Sequence, residues 1–436
     1  MAVPAMRTGL MTEQRAPDES LRAAHAGGRA NMTGLLSVDE ACARAASFVR
    51  PITGVETVSL AAAVGRVLAA PLMARIAIPP FTQSAMDGYA MRAGQGLAEA
   101  TRLAVADRIA AGHGGRAVAE GEAARIFTGA PLPPGTDAVI MQEHVRRDAG
   151  MITIGREIRA GDNVRPRGED IDPPESILDQ GTGLDARHIG LIAAQGYREV
   201  DLVRRPVIAV VSTGDELRQP GEDLAPASIY DSNRLMLLAL ISAAGFVAED
   251  GGWVPDRSDA IADRLTSLAG RCDLIVTTGG ASAGEEDHSA AALSLASGIG
   301  EALKIALKPG KPAVVGRIGA TGYLGLPGNP VASMVSWMLL GRAMASALVG
   351  ARPQRDRGYP VRSLSWFRRR PGRIEFVPAI LASDEQGRAG IEILGRGGSA
   401  RLRPLVIADG FAEIAAGNEG VAPGDELRFH PFRSIL

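Results

Sequence analysis

The sequence predicts a multidomain α/β protein: a central α/β domain with a parallel-rich sheet, a helical region split around an inserted β-rich module, and a small all-β domain at the carboxyl end. Three observations carry this reading. The chain has 436 residues, more than one hydrophobic core ordinarily supports, so several domains are expected. Residues 206–350 alternate apolar strand runs with helical runs, as a parallel sheet covered on both faces requires. Short apolar runs broken by Gly and Pro fill residues 74–164 and the chain beyond 353, a strand-and-turn pattern.

Taken in order, Ser37 to Arg50 begins with a capping-type serine followed by good helix formers, which predicts a first helix. The β-rich stretch follows, and DARHIGLIAAQG (185–196) is helical again, closed by Gly196. Helix on both sides of a β-rich stretch predicts that the β module is an insertion. VIAVVSTGDEL is a buried strand running into a polar turn, and Asp231 or Ser232 then caps the helix NRLMLLALISAAG. FVAEDGGWV, SDAIADRLTSLAG and CDLIVTTGG continue as strand, helix and strand. YLGLPGNP and a helix from Val331 to about Leu348 extend the sheet.

The bulk numbers exclude several function classes. A net charge of -2 offers no global attraction to nucleic acid or to an anionic membrane. The cysteines Cys42 and Cys272 are far apart, so a disulfide framework is not expected and a reducing, cytoplasmic setting is. No stretch reads as long enough to span a membrane. Residues 1–32 mix charged and small residues without an apolar segment and read as a flexible N-terminal extension, not a signal peptide.

Of the 47 basic residues, the lysines are Lys304, Lys308 and Lys311, all within KIALKPGKP. In a chain that uses arginine everywhere else, these mark places where a compact ammonium serves and a planar fork does not. Pro309, Gly310 and Pro312 make a stiff turn on which Lys308 and Lys311 can close around a small anion. Ligands of open parallel sheets bind at the carboxyl ends of the strands. There the sequence places Thr213, Gly214 and Glu216 after the first strand, Asp256 after the second, and TTGGASAGEED (277–287) after the third. Thr278, Gly279 and Gly280 allow close backbone approach to a phosphate, and Ser282 adds a hydroxyl donor. Glu216, Asp256 and Asp287 would repel a bare phosphate, so they make sense holding a bridging cation, and oxygen-only ligation favours Mg2+. In GLPGNP, Pro327 and Pro330 stiffen the backbone and Asn329 can cap the next helix.

Other motifs read as structural. Gly-Asp-Glu-Leu recurs in PGDELRF (423–429), where a Pro-Gly turn feeds a last strand. Asp87 in SAMDGYA reads as a hairpin turn residue on chemistry alone, and His288 as a bystander to Asp287. WFRRRPGR (366–373) reads as a solvated basic edge strand.

SAMDGYA, FTGAPLPPGTDAVIMQE, RPRGEDI, STGDEL, IYDSNR, TTGGASAGEEDH, KPGKP and GLPGNP together resemble, in this order, the molybdopterin molybdenumtransferases, the MoeA-type family that is also similar to the E domain of gephyrin. The resemblance runs from about residue 33 to the end. It implies an extension (1–32), a helical split domain (33–73 plus 165–203), an inserted β-rich domain (74–164), a molybdopterin-binding α/β domain (204–352) and a C-terminal β-barrel-like domain (353–436). It also implies an elongated homodimer and a reaction in which adenylylated molybdopterin and molybdate, with a divalent cation, give AMP and molybdenum bound to the dithiolene. Contact with the molybdopterin adenylyltransferase is implied as well.

Carried over by motif, Asp87 and Thr128 face the cleft from the inserted domain, and Glu216, Asp256 and Asp287 serve metal and phosphate chemistry. Ser282, Lys304, Lys308 and Lys311 hold molybdate or phosphate oxygens, and Ser399 in GRGGSAR is the hydroxyl of the last domain. Thr82 and Gln83 stand where the family pattern has Asp-Asn, so no role transfers to them. Two other readings remain open at this point: adenylylation of molybdopterin, which related stand-alone proteins perform on the same α/β domain, and a gephyrin-like scaffold without catalysis.

Overall fold

The structure, a computed structural model, describes residues 34–279, 288–352, 358–395 and 400–432. Gly280, Ser282, Asp287 and Ser399 lie outside the described residues. The chain forms two compact units, one of Ile52–Arg204 with Val349–Arg352 and the other of the chain up to Pro51, Arg205–Leu348 and Pro353 onward.

The Ile52–Arg204 unit contains a six-stranded sheet in the order 138–141, 88–91, 122–126, 102–109, 151–154, 145–148. Its neighbours are antiparallel apart from the parallel pair 102–109 and 122–126. The inner strand Gly88–Met91 is buried along its whole length because both faces are covered: Tyr89 and Met91 pack with Ile140 and Ile152 on one side, Ala90 with Ile126 and Val139 on the other. Gly88 is required here, since a Cβ would sit 1.9 Å from the Ile140 carbonyl oxygen. Gly88→Ala is expected to cost about 1–3 kcal/mol by overpacking, read as a lowered first transition in scanning calorimetry; an unchanged trace would contradict it.

Beside that sheet, Val55–Ser59 pairs with Glu199–Val203 and Leu72–Met73 with Ser176–Leu178, around a core of Leu68, Leu184, Ile192 and Leu202. The helix Ala186–Ala194 starts where expected, with a capping box of Asp185 and His188, and Gly196 follows at φ +75°. It is joined by one 3-10 turn, Leu60–Ala62, so the segments flanking the insertion are mostly paired ribbon with little helix. The first helix, Val38–Ser47, has the expected Ser37 cap but belongs to the other unit. Its buried face is Ala41 and Ala45, small enough for close packing; Cys42 Sγ lies 3.6 Å from the Leu339 carbonyl and Arg44 pairs with Glu301 at 2.7 Å.

The second unit is built on a mixed six-stranded sheet in the order 247–254, 207–213, 274–278, 321–326, 312–318, 299–304. The first four strands are parallel, as the strand and helix runs predict. Pro312–Ile318 and Ile299–Lys304 are antiparallel additions that the sequence reading missed. Register matters for function. Thr278 pairs with Leu326, Val314 with Gly325, and Lys304 with Pro312, so the lysine segment begins and ends at the carboxyl edge of the parallel strands.

The final helical stretch, Pro330–Leu348, is 19 residues long and contains a π turn at Trp337–Gly341. Contrary to the expectation from sequence, it is long and apolar enough to cross a membrane, but 67% of it is buried inside the protein, with Val335, Trp337 and Met344 in the core. Asn329 occupies the N-cap position without making a side-chain cap bond, so Pro330 at the first turn is the start signal.

The carboxyl-terminal part is β-structured as expected, around Ala412, Ile414, Val377 and Phe429. Its sheet has a member from outside it: Leu307–Lys308 pairs in parallel with Ile374 and Glu375. KPGKP is therefore no free turn but a strap between two sheets.

Candidate functional site

In the Ile52–Arg204 unit, Asp87 does not serve as a hairpin turn. The strands before and after it pair with other partners, Gln83–Ser84 with Val164–Arg165 and Gly88–Met91 with the central sheet. Its Oδ1 instead accepts hydrogen bonds from the Thr128 backbone N–H and hydroxyl, both at 2.8 Å. Two donors aimed at one oxygen favour the ionised form, and together they hold the Asp87 carboxyl below its usual range. Arg125 adds to this more weakly, and its guanidinium is stacked on the rings of Phe127 and Tyr89. The structure thus brings together Asp87 and Thr128.

In the second unit, the carboxyl ends of strands 207–213, 274–278 and 321–326 meet over a buried polar floor. Asn233 Nδ2 donates to Thr278 Oγ1 at 2.9 Å and to the Gly328 carbonyl at 2.6 Å. Thr278 Oγ1 also lies 3.1 Å from Ser333 Oγ, which donates to the Pro327 carbonyl. Gly279 has φ +99°, and a Cβ there would lie 2.2 Å from the Thr213 carbonyl oxygen, so only glycine lets these two strand ends approach. Thr213 Oγ1 and Asn233 Oδ1 are buried with no hydrogen-bond partner among the described residues. A buried polar atom without a partner calls for an explanation, and a polar ligand at these strand ends would supply one. Asn233 escaped the sequence reading, in which it was only the start of a helix; its place opposite Thr278 is visible only after folding.

A buried ion network locks this floor. Ser212 Oγ donates to Asp231 Oδ2 at 2.5 Å, Arg234 Nε donates to the same oxygen at 2.8 Å, and Arg234 also pairs with Asp250. Asp231 does double service by capping the helix through the Arg234 N–H at 3.2 Å.

The acidic strand ends are partly assembled. Glu216 is exposed, its carboxylate folded back toward Gly214, and the Asp256 N–H donates to Asp215 Oδ1 at 3.2 Å, which draws the first two strand ends together. No group of three acidic, histidine or cysteine side chains among the described residues has metal-holding geometry. Glu216 and Asp256 do supply the oxygen-only chemistry that a hard divalent cation takes, and Asp287 belongs to 280–287, outside the described residues. His288 contacts Ser258 Oγ at 3.2 Å.

Lys304 and Lys311 are exposed at the sheet edge. Lys308 lines a cavity of about 610 Å³ together with Arg368, Arg369, Arg370, Pro371 and Arg373. The reading of WFRRRPGR as a solvated basic edge holds for Trp366, Arg368 and Arg370, which are exposed, but not for Arg369. The Arg369 side chain is 1% exposed and its guanidinium donates to the carbonyls of Ile414, Ala415 and Arg373. Burial outweighs the neighbouring Glu375 charge and lowers the Arg369 pKa from its ordinary value. The missed signal was the apolar and glycine residues interleaved with the arginines, which tie the segment to the β core while its other arginines face the cavity.

Family comparisons agree along nearly the whole chain. Residues 36–196 match the MoeA N-terminal region (domain I and II), 209–346 the probable molybdopterin binding domain, and 360–432 the MoeA C-terminal region (domain IV). The molybdopterin molybdenumtransferase of Haemophilus influenzae is 31% identical over 405 residues, covering 92% of this chain and 100% of the relative. Molybdopterin molybdenumtransferase 2 of Mycobacterium tuberculosis is 34% identical over 390 residues, covering 87% and 94%. The solved molybdopterin biosynthesis MoeA protein of Pyrococcus horikoshii OT3 superposes with a TM-score of 0.74 at 27% identity, covering 91% of this chain and 99% of that one.

Proposed function

The chain belongs to the molybdopterin molybdenumtransferase family, and on that premise we propose that it takes molybdate as its metal source and adenylylated molybdopterin as its acceptor, releasing AMP. It is a transferase of molybdenum cofactor biosynthesis, and its step is molybdenum insertion. The observation that carries the finer reading is the cavity where Lys308 meets four arginines, on a strap whose ends lie at the carboxyl edge of the sheet. A tetrahedral dianion suits a point charge surrounded by guanidinium groups. The glycine-crowded strand ends, with Thr213, Gly214, Thr278, Gly279 and Pro327, suit the phosphate-bearing partner.

Each remaining group has a task in this reading. Magnesium would be held by Glu216 and Asp256 with Asp287, and when bound it neutralises charge on the phosphoanhydride. Asp87, kept ionised by Thr128, is a poor proton acceptor for that reason and serves as a charged hydrogen-bond acceptor that orients a donor. A homodimer, contact with the molybdopterin adenylyltransferase and a cytoplasmic location belong to the same proposal and are supported by the family membership. The matches over 36–196 and 360–432 tell against a stand-alone adenylyltransferase.

The test is AMP release from adenylylated molybdopterin by the purified full chain with magnesium, with and without molybdate. Release that depends on molybdate supports insertion. Tight binding of adenylylated molybdopterin with no release under either condition would establish the scaffold reading in its place. In the same assay Lys308→Arg is expected to raise the molybdate concentration needed for half-maximal rate by about tenfold, because a planar fork replaces a point charge. Melting temperature is expected to change little; an unaltered molybdate saturation curve would refute this.

A further inference from the structure

We infer that Glu375 competes with incoming oxyanions for the Lys308 ammonium and thereby sets how tightly the basic cavity holds a divalent oxyanion. This rests on the reading of that cavity as an oxyanion site. Glu375 is 2% exposed, and Lys308 stands directly opposite it in the parallel ladder. Their side chains meet at 2.7 Å, Lys308 Nζ to Glu375 Oε1. The other carboxylate oxygen faces Arg369 Nε at 3.5 Å.

The two partners of Glu375 differ in freedom. Arg369 is anchored by backbone carbonyls and cannot leave. Lys308 is 48% exposed on a long flexible stem, so its ammonium is the member that can turn to a guest. The carboxylate itself is not part of the cavity lining, which is formed by cationic groups and Pro371. A dianion entering the cavity must therefore draw Lys308 away from a fixed negative charge while being repelled by that charge. Both effects weaken binding, and weak binding favours exchange of the oxyanion.

Glu375→Gln keeps the shape and an acceptor for Lys308 but removes the charge. Repulsion of a dianion scales with the product of the charges, whereas the lost tether releases only rotamer freedom of one lysine, so the electrostatic gain wins. Glu375 is a positioning residue under this view, not a catalytic one.

The experiment is calorimetric titration of molybdate alone into the full chain, with sulfate as competitor, for wild type, E375Q, K308Q and the double variant. E375Q is expected to bind molybdate about tenfold more tightly, and its steady-state molybdate KM is expected to fall while kcat does not rise. The gain is expected to shrink in the K308Q background to the part that removed repulsion alone supplies, because no ammonium remains to be competed for. A purely structural role would move kcat and KM without that dependence on Lys308, whatever the melting temperature does once the buried Arg369 loses its countercharge. Should E375Q fail to fold, Glu375→Asp withdraws the carboxylate by one methylene and carries the same test with a smaller gain. Folded E375Q that binds molybdate no more tightly than wild type overturns the inference while leaving the oxyanion site standing. Absence of molybdate binding in every protein, with molybdate KM unaffected by K308Q, overturns the oxyanion reading and this inference together.

Discussion

Asp87→Asn is expected to lower molybdate-dependent AMP release by about a hundredfold, the order seen when one preorganised polar contact to a reacting group is removed, with no loss of folded protein. Asparagine retains an oxygen able to accept from both Thr128 donors, so the local geometry survives. What disappears is the negative charge. If the variant keeps wild-type turnover, Asp87 has no part in the reaction. The pH dependence separates charge from shape. Because the folded pKa lies below the ordinary value, the carboxylate is ionised throughout neutral pH, and its favourable interactions, present above the unfolded pKa, are lost only as the pH falls through the folded one. Thr128→Val removes the hydroxyl donor and leaves the backbone donor. The acid limb of the rate profile is then expected to move toward higher pH, by less than complete loss of both donors would produce. An acid limb at the wild-type position would show that Asp87 does not set it.

The largest expected stability effect lies elsewhere. Arg234→Met is expected to destabilise the second unit by about 3–5 kcal/mol, the cost of breaking a buried ion pair from one side. Arg234 and Asp231 are 6% and 1% exposed, so the abandoned Asp231 carboxylate has no access to bulk water. Its remaining donors, Ser212 Oγ and the Arg234 N–H, do not supply a countercharge. Chemical denaturation monitored through Trp253, whose indole N–H donates to the Gly214 carbonyl at 2.7 Å beside this network, reads the change at the relevant place. A shift under about 1 kcal/mol would mean that Asp231 neutralises or is rehydrated at low cost. Replacing Asp231 and Arg234 together by Leu and Met is expected to recover part of the loss, since well-packed apolar groups can substitute for a buried pair.

The sequence was most informative where local physics is self-contained. Ser37 announced the start of one helix and Gly196 the end of another because a cap needs only residues a turn away. Val207–Thr213 and Leu274–Thr278 were readable as strands because a sheet covered on both faces demands continuous apolar runs. The second Gly-Asp-Glu-Leu was also read correctly as a turn before a last strand, since its Pro-Gly neighbour decides that locally. Ile299–Lys304 and Pro312–Ile318 were not readable as antiparallel strands: they are interrupted by Gly and charged residues, and their pairing is set by the neighbouring Thr321–Leu326 strand.

For the candidate site the division follows the same line. Residue chemistry alone determined that the lysines are concentrated in one short segment and that the strand ends combine glycine, hydroxyl and carboxylate groups suited to anionic ligands. Only the tertiary structure decided that Lys308 faces a buried Glu375 and a cluster of arginines, that Asp87 receives both donors of Thr128, and that Asn233 reaches Thr278. The physical reason is range. Caps, turns and apolar periodicity are governed by neighbours along the chain, whereas a charge or a hydrogen-bonding group acquires its partner, and with it its protonation state and its strength, from segments that meet it only after the sheets have packed.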